Sequence, residues 1–150
     1  MNEIPDEELV RAAQRGSAEA VATLFERHWR DAWRLAATVT GSPHDADDAA
    51  QQAFVRAIAR IRRLRDPRRF RPWLHRIVLN ETRDERRRRW REMLVDPPAE
   101  RAAARDADEP GPAVEALAGL DHDRRAAVVL RHCLGYSLEE TAALLGVPVG

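Results

Sequence analysis

The sequence predicts an all-α protein, made of two small helical domains joined by a flexible linker, and three observations support this. Apolar residues recur at steps of three and four over most of the 150 residues, which is the spacing of one helix face. Capping residues, Pro and Gly divide the chain at helical lengths. No stretch alternates convincingly between apolar and polar side chains, as a half-buried strand would.

Two helices are predicted before residue 42. The first covers about residues 6–15, with Asp6 as its N-cap and further acids in its first turn. The second begins after the N-cap Ser17 and stops at Gly41. Its apolar stripe comprises Val21, Leu24, Phe25, His28, Ala32, Leu35, Ala36 and Val39.

Two further helices are predicted between residues 42 and 93. The third follows Ser42-Pro43 and is broken at Asp66-Pro67, because proline disfavours the helical conformation in the residue before it. Its stripe is Ala46, Ala49, Ala50, Ala53, Phe54, Ala57, Ile58, Ile61 and Leu64. The fourth covers about residues 69–93, with Phe70, Trp73, Leu74, Ile77 and Val78 facing inward. We expect its apolar stripe to stop at Val78.

The C-terminal part follows a stretch rich in Pro, Ala and charged residues, which predicts a linker over 95–112. Short helices are predicted near 114–118, 121–134 and 137–145. The last begins with a capping box from Ser137 to Glu140, places Leu138, Ala142 and Leu145 on one side and ends at Gly146. This pattern is typical of the first helix of a helix-turn-helix, whose second, recognition helix is lacking here.

The predicted domains are therefore 1–94 and 113–150. The apolar residues of the tail are expected to lack cover, and the tail to need a partner; these residues are Leu138, Leu144, Leu145 and Val147.

The charge of the chain is concentrated in one segment although its net charge is zero. Residues 56–91 carry fifteen Arg against four acids, a net charge of +11, whereas the residues before and after them carry net charges of −5 and −6. The chain has no Lys, which is typical of a GC-rich coding bias, yet Arg still brings a bidentate, stacking guanidinium. A neutral protein with one strongly basic segment is expected to bind a polyanion there.

Several classes of function are disfavoured. The five histidines show no paired metal-ligand spacing, no Gly-rich phosphate loop is present, and we expect neither enzymatic activity nor a metal or cofactor. The single cysteine, Cys133, fits a reducing compartment and is expected to be buried. No apolar run approaches the roughly 20 residues of a membrane span, so we predict a cytoplasmic protein without membrane insertion.

Several segments, in the same order along the chain, resemble the extracytoplasmic-function (ECF) group of bacterial sigma factors. Residues 45–54 (DADDAAQQAF) resemble that group's D-A-E-D-L-V-Q-E-T-F segment, and residues 70–80 (FRPWLHRIVLN) its F-x-x-W-L-x-x-I-A-x-N. The resemblance resumes at 117–120, 127–131 and 135–142, so it covers nearly the whole chain outside the linker. Each piece alone is weak, but together they are specific.

The resemblance implies a role for each segment. Asp48, Gln51 and Gln52 would dock on the clamp helices of the largest subunit of core RNA polymerase. The loop at 62–70 would capture an unpaired promoter base, the helix from Arg71 to Arg91 would face the −10 element, and the tail matches the domain that recognises the −35 element. An anti-sigma factor is implied as a further partner.

The chemistry of the residues agrees with these roles. Capturing an exposed base offsets part of the free energy of melting, and loop arginines can hold the flanking phosphates. The candidate DNA-binding residues are Arg62, Arg63, Arg65, Arg68, Arg69, Arg76, Asn80, Arg83 and Arg87. Asn80 has a short amide suited to a base edge or the backbone.

Structural interpretations of the same residues stay open. Trp29, Trp33 and Trp73 are expected in the core, whereas Trp90 is the better candidate for an exposed aromatic. Arg86 to Arg89 can be simply a solvated helix end, and the acids at 45–48 can favour the start of a helix.

Two other functions also remain open. One is a truncated interaction protein that titrates polymerase or an anti-sigma factor, and the other a polymerase-independent helix-turn-helix DNA binder. The Gln51-bearing face argues against the latter, which has no need of it.

Overall fold

The computed structural model describes residues 3–95 and 112–150, and it confirms the all-α prediction, since the described residues contain no strand. Their α-helices are α1 (Asp6–Gln14), α2 (Ala18–Thr40), α3 (Pro43–Arg60), α4 (Phe70–Val95), α5 (Pro112–Leu117), α6 (His122–Val128) and α7 (Leu138–Leu145). Short 3₁₀ turns at Ile61–Arg63 and Pro67–Arg69 connect α3 to α4. Among the described residues, no helix is both long and apolar enough to cross a membrane.

Local capping chemistry fixes most helix boundaries where the sequence predicts them. The Ser17 hydroxyl accepts a hydrogen bond from the Ala20 N–H and starts α2. Gly41 ends α2 in the left-handed conformation, with φ of 68°, which glycine adopts without a steric penalty. Ser137 and Glu140 form the predicted capping box, since each side chain accepts from the other residue's backbone N–H.

Helix α1 begins at Asp6, and the prediction that Asp6 is its N-cap was wrong. Pro5 occupies the N-cap position and makes no side-chain cap, while Asp6 lies inside the helix. The Asp6 carboxylate instead accepts a hydrogen bond from Arg27 and lies 2.7 Å from His28 Nε2. A tertiary ion pair between α1 and α2 therefore replaces a local cap.

Helices α1 to α4 share one core around α2. The stripe of α3 consists mainly of alanines, and Ala46, Ala50 and Ala53 are fully buried, so α3 can approach its neighbours closely. Two residues of the predicted stripes are exposed at the edge of this core, Ile58 at 45% and Phe25 at 38% accessibility.

Helix α4 is buried further along its length than its apolar pattern indicates. The prediction that its buried stripe stops at Val78 was wrong, because Leu79, Glu81 and Thr82 are buried as well. Beyond Thr82 the helix projects outward and is mostly exposed through Val95. Val95 is thus helical, although the sequence placed it in the linker.

The C-terminal helices pack on the first four, and their apolar residues are better covered than expected. Leu144 and Leu145 of α7 are buried, whereas Leu138 is 54% and Val147 43% accessible. The buried pair belongs to the same core as Leu74 and Val78 of α4, which corrects the expectation that Leu144 and Leu145 lack cover. The predicted linker lies mainly outside the described residues, since α5 already begins at Pro112.

Candidate nucleic-acid and polymerase interfaces

The segment between α3 and α4 is an anchored loop. The side-chain amide of Gln14, on α1, donates hydrogen bonds of 2.9 Å to the carbonyl oxygens of both Ile61 and Leu64. The Ile61 and Leu64 side chains are buried beneath the loop. Asp66 accepts from the Arg68 N–H and so fixes the second 3₁₀ turn. These contacts hold the loop backbone and leave its arginine side chains on the outside.

Most of the predicted loop arginines are exposed and unpaired. Among the described residues, no ion pair or side-chain hydrogen bond involves Arg62, Arg63, Arg65 or Arg69. Arg68 differs, because its Nε lies 3.1 Å from Asp66 Oδ1. That contact lowers the pKa of the exposed Asp66 carboxyl, mainly through the hydrogen bond from the Arg68 side chain. The loop therefore presents four guanidinium groups that a polyanion can reach.

The candidate residues on α4 share one helix face but differ in their surroundings. Arg76, Asn80, Arg83 and Arg87 follow at steps of four, three and four. Asn80 and Arg87 are exposed, and Arg87 lies 4.0 Å from Asp84. Arg76 donates a 2.6 Å hydrogen bond to the Ala143 carbonyl at the end of α7. Arg83 is half-buried and donates to Asp123 at 2.9 Å.

Two other arginines of the basic segment belong to ion pairs that join α3 to α4. Arg89 Nη2 lies 2.6 Å from the carboxylate of Asp45, whose side chain is only 4% accessible. Arg56 Nε lies 2.8 Å from Glu81 Oε1. Burial raises the pKa of Glu81, and the nearby Arg56 partly opposes this. The sequence interpretation missed both pairs, because their partners are far apart in the chain and no local signal connects them.

The acidic start of α3 divides into buried and exposed carboxylates. Asp45 is paired with Arg89, and Asp47 accepts a hydrogen bond from the Trp33 indole N–H. Asp48 remains 44% accessible, with His44 Nε2 at 3.7 Å. Gln51 and Gln52 are exposed on the turn that follows, and Val55, 60% accessible, continues this face. The three predicted docking residues thus share one accessible surface, which we call the α3 face (Asp48, Gln51, Gln52 and Val55).

A buried polar cluster that the sequence did not reveal lies between α4 and the C-terminal helices. His75 is fully buried, and its Nδ1 lies 2.7 Å from the Tyr136 hydroxyl. Burial, reinforced by the charge of Arg71, lowers the pKa of His75 to about 3. Burial also raises the pKa of Tyr136 to about 12. Both groups are therefore uncharged at neutral pH, and the Arg71 guanidinium lies 5.0 Å from the centre of the Tyr136 ring.

A second buried histidine lies in the same region. His122 Nε2 is 2.8 Å from the Thr82 hydroxyl of α4, and its Nδ1 is 3.0 Å from Asp123. Burial lowers its pKa, which the hydrogen bond to Asp123 partly opposes.

The remaining aromatic and cysteine predictions have mixed outcomes. Trp29, Trp33 and Trp73 are partly buried and pack against the core, and Trp90 is 64% accessible, as predicted. Cys133 is exposed, so the expectation of a buried thiol was wrong. No group of three His, Cys, Asp or Glu residues in the described ranges could hold a metal ion.

Family models and relatives match this arrangement. The Sigma-70 region 2 model matches residues 24–92, and the Sigma-70 region 4 model matches residues 112–150. The ECF RNA polymerase sigma factor SigM of Mycobacterium tuberculosis is 38% identical over 155 residues, which cover 99% of this chain and 78% of the relative. The ECF sigma factor SigW of Bacillus subtilis is 28% identical over 161 residues, covering 94% of this chain and 85% of the relative.

Solved structures agree on the fold. The structure of CnrH in complex with the cytosolic domain of CnrY matches with a TM-score of 0.70 and 30% identity, covering 96% of this chain and 84% of that chain. The sigma factor RpoE of Bartonella quintana, in complex with the anti-sigma factor NepR, matches with a TM-score of 0.72 and 23% identity, covering 86% of this chain and 84% of that chain. At this identity the likeness shows the fold alone. The two family models and the relatives together show that this chain belongs to the ECF group of RNA polymerase sigma factors in the sigma-70 family.

Proposed function

We propose that this chain binds core RNA polymerase through the α3 face and directs it to promoters by contacting the −10 element with the anchored loop and α4. The observation that carries the proposal is the loop at 61–69, whose backbone is held by Gln14 while Arg62, Arg63, Arg65 and Arg69 stay exposed. A fixed backbone with exposed cations suits an unpaired strand, because the guanidinium groups can bind phosphates without reordering the loop.

The promoter contact combines charge with base recognition. Flipping a base out of a duplex costs a few kcal/mol, and phosphate contacts beside the captured base offset part of that cost. Exposed Asn80 lies on α4 beyond the loop, where its amide can hydrogen bond a base edge or the backbone. Promoter preference would then lie in the loop and at Asn80, and the arginines would supply affinity that decreases with salt.

The α3 face suits a protein partner rather than DNA. Its one charge is the Asp48 carboxylate, flanked by two amides and the apolar Val55, and phosphate would be repelled there. The clamp helices of the polymerase largest subunit are the proposed partner. An anti-sigma factor is proposed as a regulator, because the similar RpoE structure is a complex with the anti-sigma factor NepR. A cytoplasmic location is proposed together with these partners.

Polymerase binding is tested by pull-down of purified core enzyme with Asp48→Arg. The matched control is Glu8→Arg, which makes the same charge change on exposed α1. We expect Asp48→Arg to lose at least tenfold in affinity, since like charges brought together in an interface cost several kcal/mol and about 1.4 kcal/mol is already tenfold. Equal binding by both variants would remove the docking assignment.

DNA binding is tested with the polymerase complex and a fork duplex that carries an unpaired −10 strand. Arg63→Ala with Arg65→Ala removes two loop charges, and Arg30→Ala with Arg34→Ala removes two exposed charges from α2. We expect only the loop variant to weaken binding and to lower the salt slope by about 1.4, or about 0.7 per lost single-strand phosphate contact. If the loop variant binds less tightly to intact duplex but equally well to the fork, the chain is an ordinary duplex binder instead.

A further inference from the structure

The last turns of α4 form an arm that carries one large aromatic side chain. Every residue from Arg86 to Val95 is exposed, and the ion pair between Arg89 and Asp45 ties the arm to α3. Trp90 lies roughly 100° around the helix from Arg89, so it points away from α3, and it is 64% accessible. Among the described residues, no aromatic or cation–π contact involves Trp90, which lies outside the hydrophobic core. The indole therefore contributes little to packing.

Trp90 continues the helix face that the proposed function gives to DNA. Asn80, Arg83 and Arg87 follow one another at steps of three and four, and a further step of three leads to Trp90. At about 1.5 Å per residue, Trp90 lies about 15 Å beyond Asn80 along the helix axis. Nucleotides of one stacked strand follow each other at about 3.4 Å, so this distance corresponds to about four nucleotides.

The surroundings of Trp90 suit a nucleic-acid strand. Arg86 and Arg87 lie one turn before it, and Arg91 follows it directly. In the part of the chain that the structure describes, Arg86 and Arg91 form no ion pair, and Arg87 is 4.0 Å from Asp84. A helix that binds a membrane surface separates its apolar face from its cationic face, whereas here two cations share the face of the indole. Aromatic and cationic side chains are combined in this way in single-strand binding sites, where rings stack on bases and cations bind phosphates.

We propose that Trp90 is a base-stacking residue, which packs its indole against an unpaired base about four nucleotides from the base at Asn80, while Arg86 and Arg91 bind the adjoining phosphates. The inference rests on the proposed function, because it adds a contact to the same DNA strand. The contact forms only where the strand is unpaired, since a base inside a duplex has both faces covered by its neighbours. Stacking depends little on the identity of the base, because every base has a π face. Trp90 therefore stabilises the melted strand without adding base preference.

The contribution of the ring is measured with Trp90→Ala in the full chain bound to core polymerase, on a fork duplex whose unpaired strand extends beyond the position expected for Trp90. We expect about tenfold weaker binding, or about 1.4 kcal/mol, within the range for one stacked base. Trp90→Phe keeps an aromatic face and should lose less. Val95→Ala is the control, since Val95 is an exposed apolar residue roughly 140° around the helix from Trp90, and it should bind as the wild type does.

Salt distinguishes stacking from charge. Trp90→Ala should lower the affinity by the same factor at every salt concentration, because a stacked base releases no counterions. Arg86→Ala with Arg91→Ala should instead lower the salt slope by about 1.4, or about 0.7 per lost phosphate contact. The urea midpoint of Trp90→Ala and its capture of core polymerase should equal those of the wild type, because the indole lies outside the core.

Abasic nucleotides locate the stacked base. Each nucleotide of the unpaired strand is replaced in turn, and every fork is titrated with the wild type, Trp90→Ala and Asn80→Ala. We expect one position at which the loss of the base makes the wild type and Trp90→Ala bind equally. It should lie about four nucleotides from the position that does so for Asn80→Ala. Pairing that base with a complementary strand should also abolish the difference between the wild type and Trp90→Ala.

Four results would overturn the stacking role. Trp90→Ala may bind the fork as tightly as the wild type, or its loss of affinity may persist at every abasic position. Weaker capture of core polymerase by Trp90→Ala would assign the ring to a protein interface. Binding to phosphatidylglycerol vesicles that Trp90→Ala loses, with no change on the fork, would assign it to a membrane surface. The proposed function fails by a different result, an unchanged affinity of the loop variant Arg63→Ala with Arg65→Ala for the fork, so the two failures are distinguishable.

Discussion

The Asp45–Arg89 ion pair should respond very differently to the loss of each partner. The side chain of Asp45 is 4% accessible and that of Arg89 is 51% accessible, and their charged groups lie 2.6 Å apart. Arg89→Ala leaves the buried Asp45 carboxylate without its partner, whereas Asp45→Asn leaves an arginine that water can solvate. The two substitutions break one contact but should not cost the same free energy of unfolding.

The expected magnitudes follow from this difference in exposure. Removing one partner of a fully buried pair costs about 3–5 kcal/mol, and the position of Asp45 in the first turn of α3 offsets about 1 kcal/mol of the penalty. We therefore expect Arg89→Ala to cost about 2–4 kcal/mol. Asp45→Asn should cost about 1 kcal/mol, in the range of pairs with one solvated partner.

Urea denaturation followed by circular dichroism gives the required free energies. Arg86→Ala is the matched control, an exposed arginine of the same helix without an ion pair in the described ranges, and it should cost less than about 0.5 kcal/mol. If Arg89→Ala lowers the free energy of unfolding no more than Arg86→Ala does, or less than Asp45→Asn does, the assignment of Arg89 to the folded core rather than to DNA is wrong.

Three further predictions concern the loop, the core and pH. Gln14→Leu removes both hydrogen bonds to the Ile61 and Leu64 carbonyls, so hydrogen exchange of the loop should accelerate by about tenfold or more, and unchanged exchange would refute the anchoring role. Leu74→Ala, at a fully buried position, should lower the free energy of unfolding by about 2–5 kcal/mol, and a loss below 1 kcal/mol in urea titration would contradict its place in the core. His75 has a pKa of about 3 when folded and about 6.5 when unfolded, so the unfolded chain binds more protons between these values and stability decreases as the pH falls through that window. The loss at pH 5 should be about 2 kcal/mol relative to pH 7 and smaller in His75→Gln, and parallel pH profiles of the two proteins would exclude His75 as the source.

The sequence predicts those parts of the fold that short-range chemistry decides. Ser17, Ser42 and Ser137 start helices because each hydroxyl caps a backbone N–H three residues away, and this signal is complete within the local sequence. Asp6 has the same signal but was assigned wrongly, since Arg27 and His28 compete for its carboxylate. A capping motif is reliable only where no distant cation reaches the same side chain.

The limits of sequence interpretation are clearest in the arginines. Fifteen of them between residues 56 and 91 look alike in the sequence, yet their surroundings divide them. Arg65 is exposed in the loop, Arg89 neutralises a buried carboxylate, and Arg76 binds the end of a helix 67 residues away. Only tertiary structure brings these partners together, so composition predicted a basic segment but not which of its charges are accessible.

The widened turn at the end of α6 has a consequence for chain length. Residues Val129–Cys133 form a π-helical turn, and Gly135 in the left-handed conformation, with φ of 75°, then lets the Tyr136 N–H reach the Leu130 carbonyl at 2.9 Å. A π turn contains one residue more than an α turn, and each helical residue rotates the chain by roughly 100°. Deleting exposed Arg131 should therefore convert the π turn into an α turn, which absorbs the missing residue and leaves the Tyr136 side chain directed at α4. Relatives that lack one residue in this turn should accordingly still pack their two halves together, whereas a deletion within the regular α-helical part of α6 would rotate everything after it by roughly 100°.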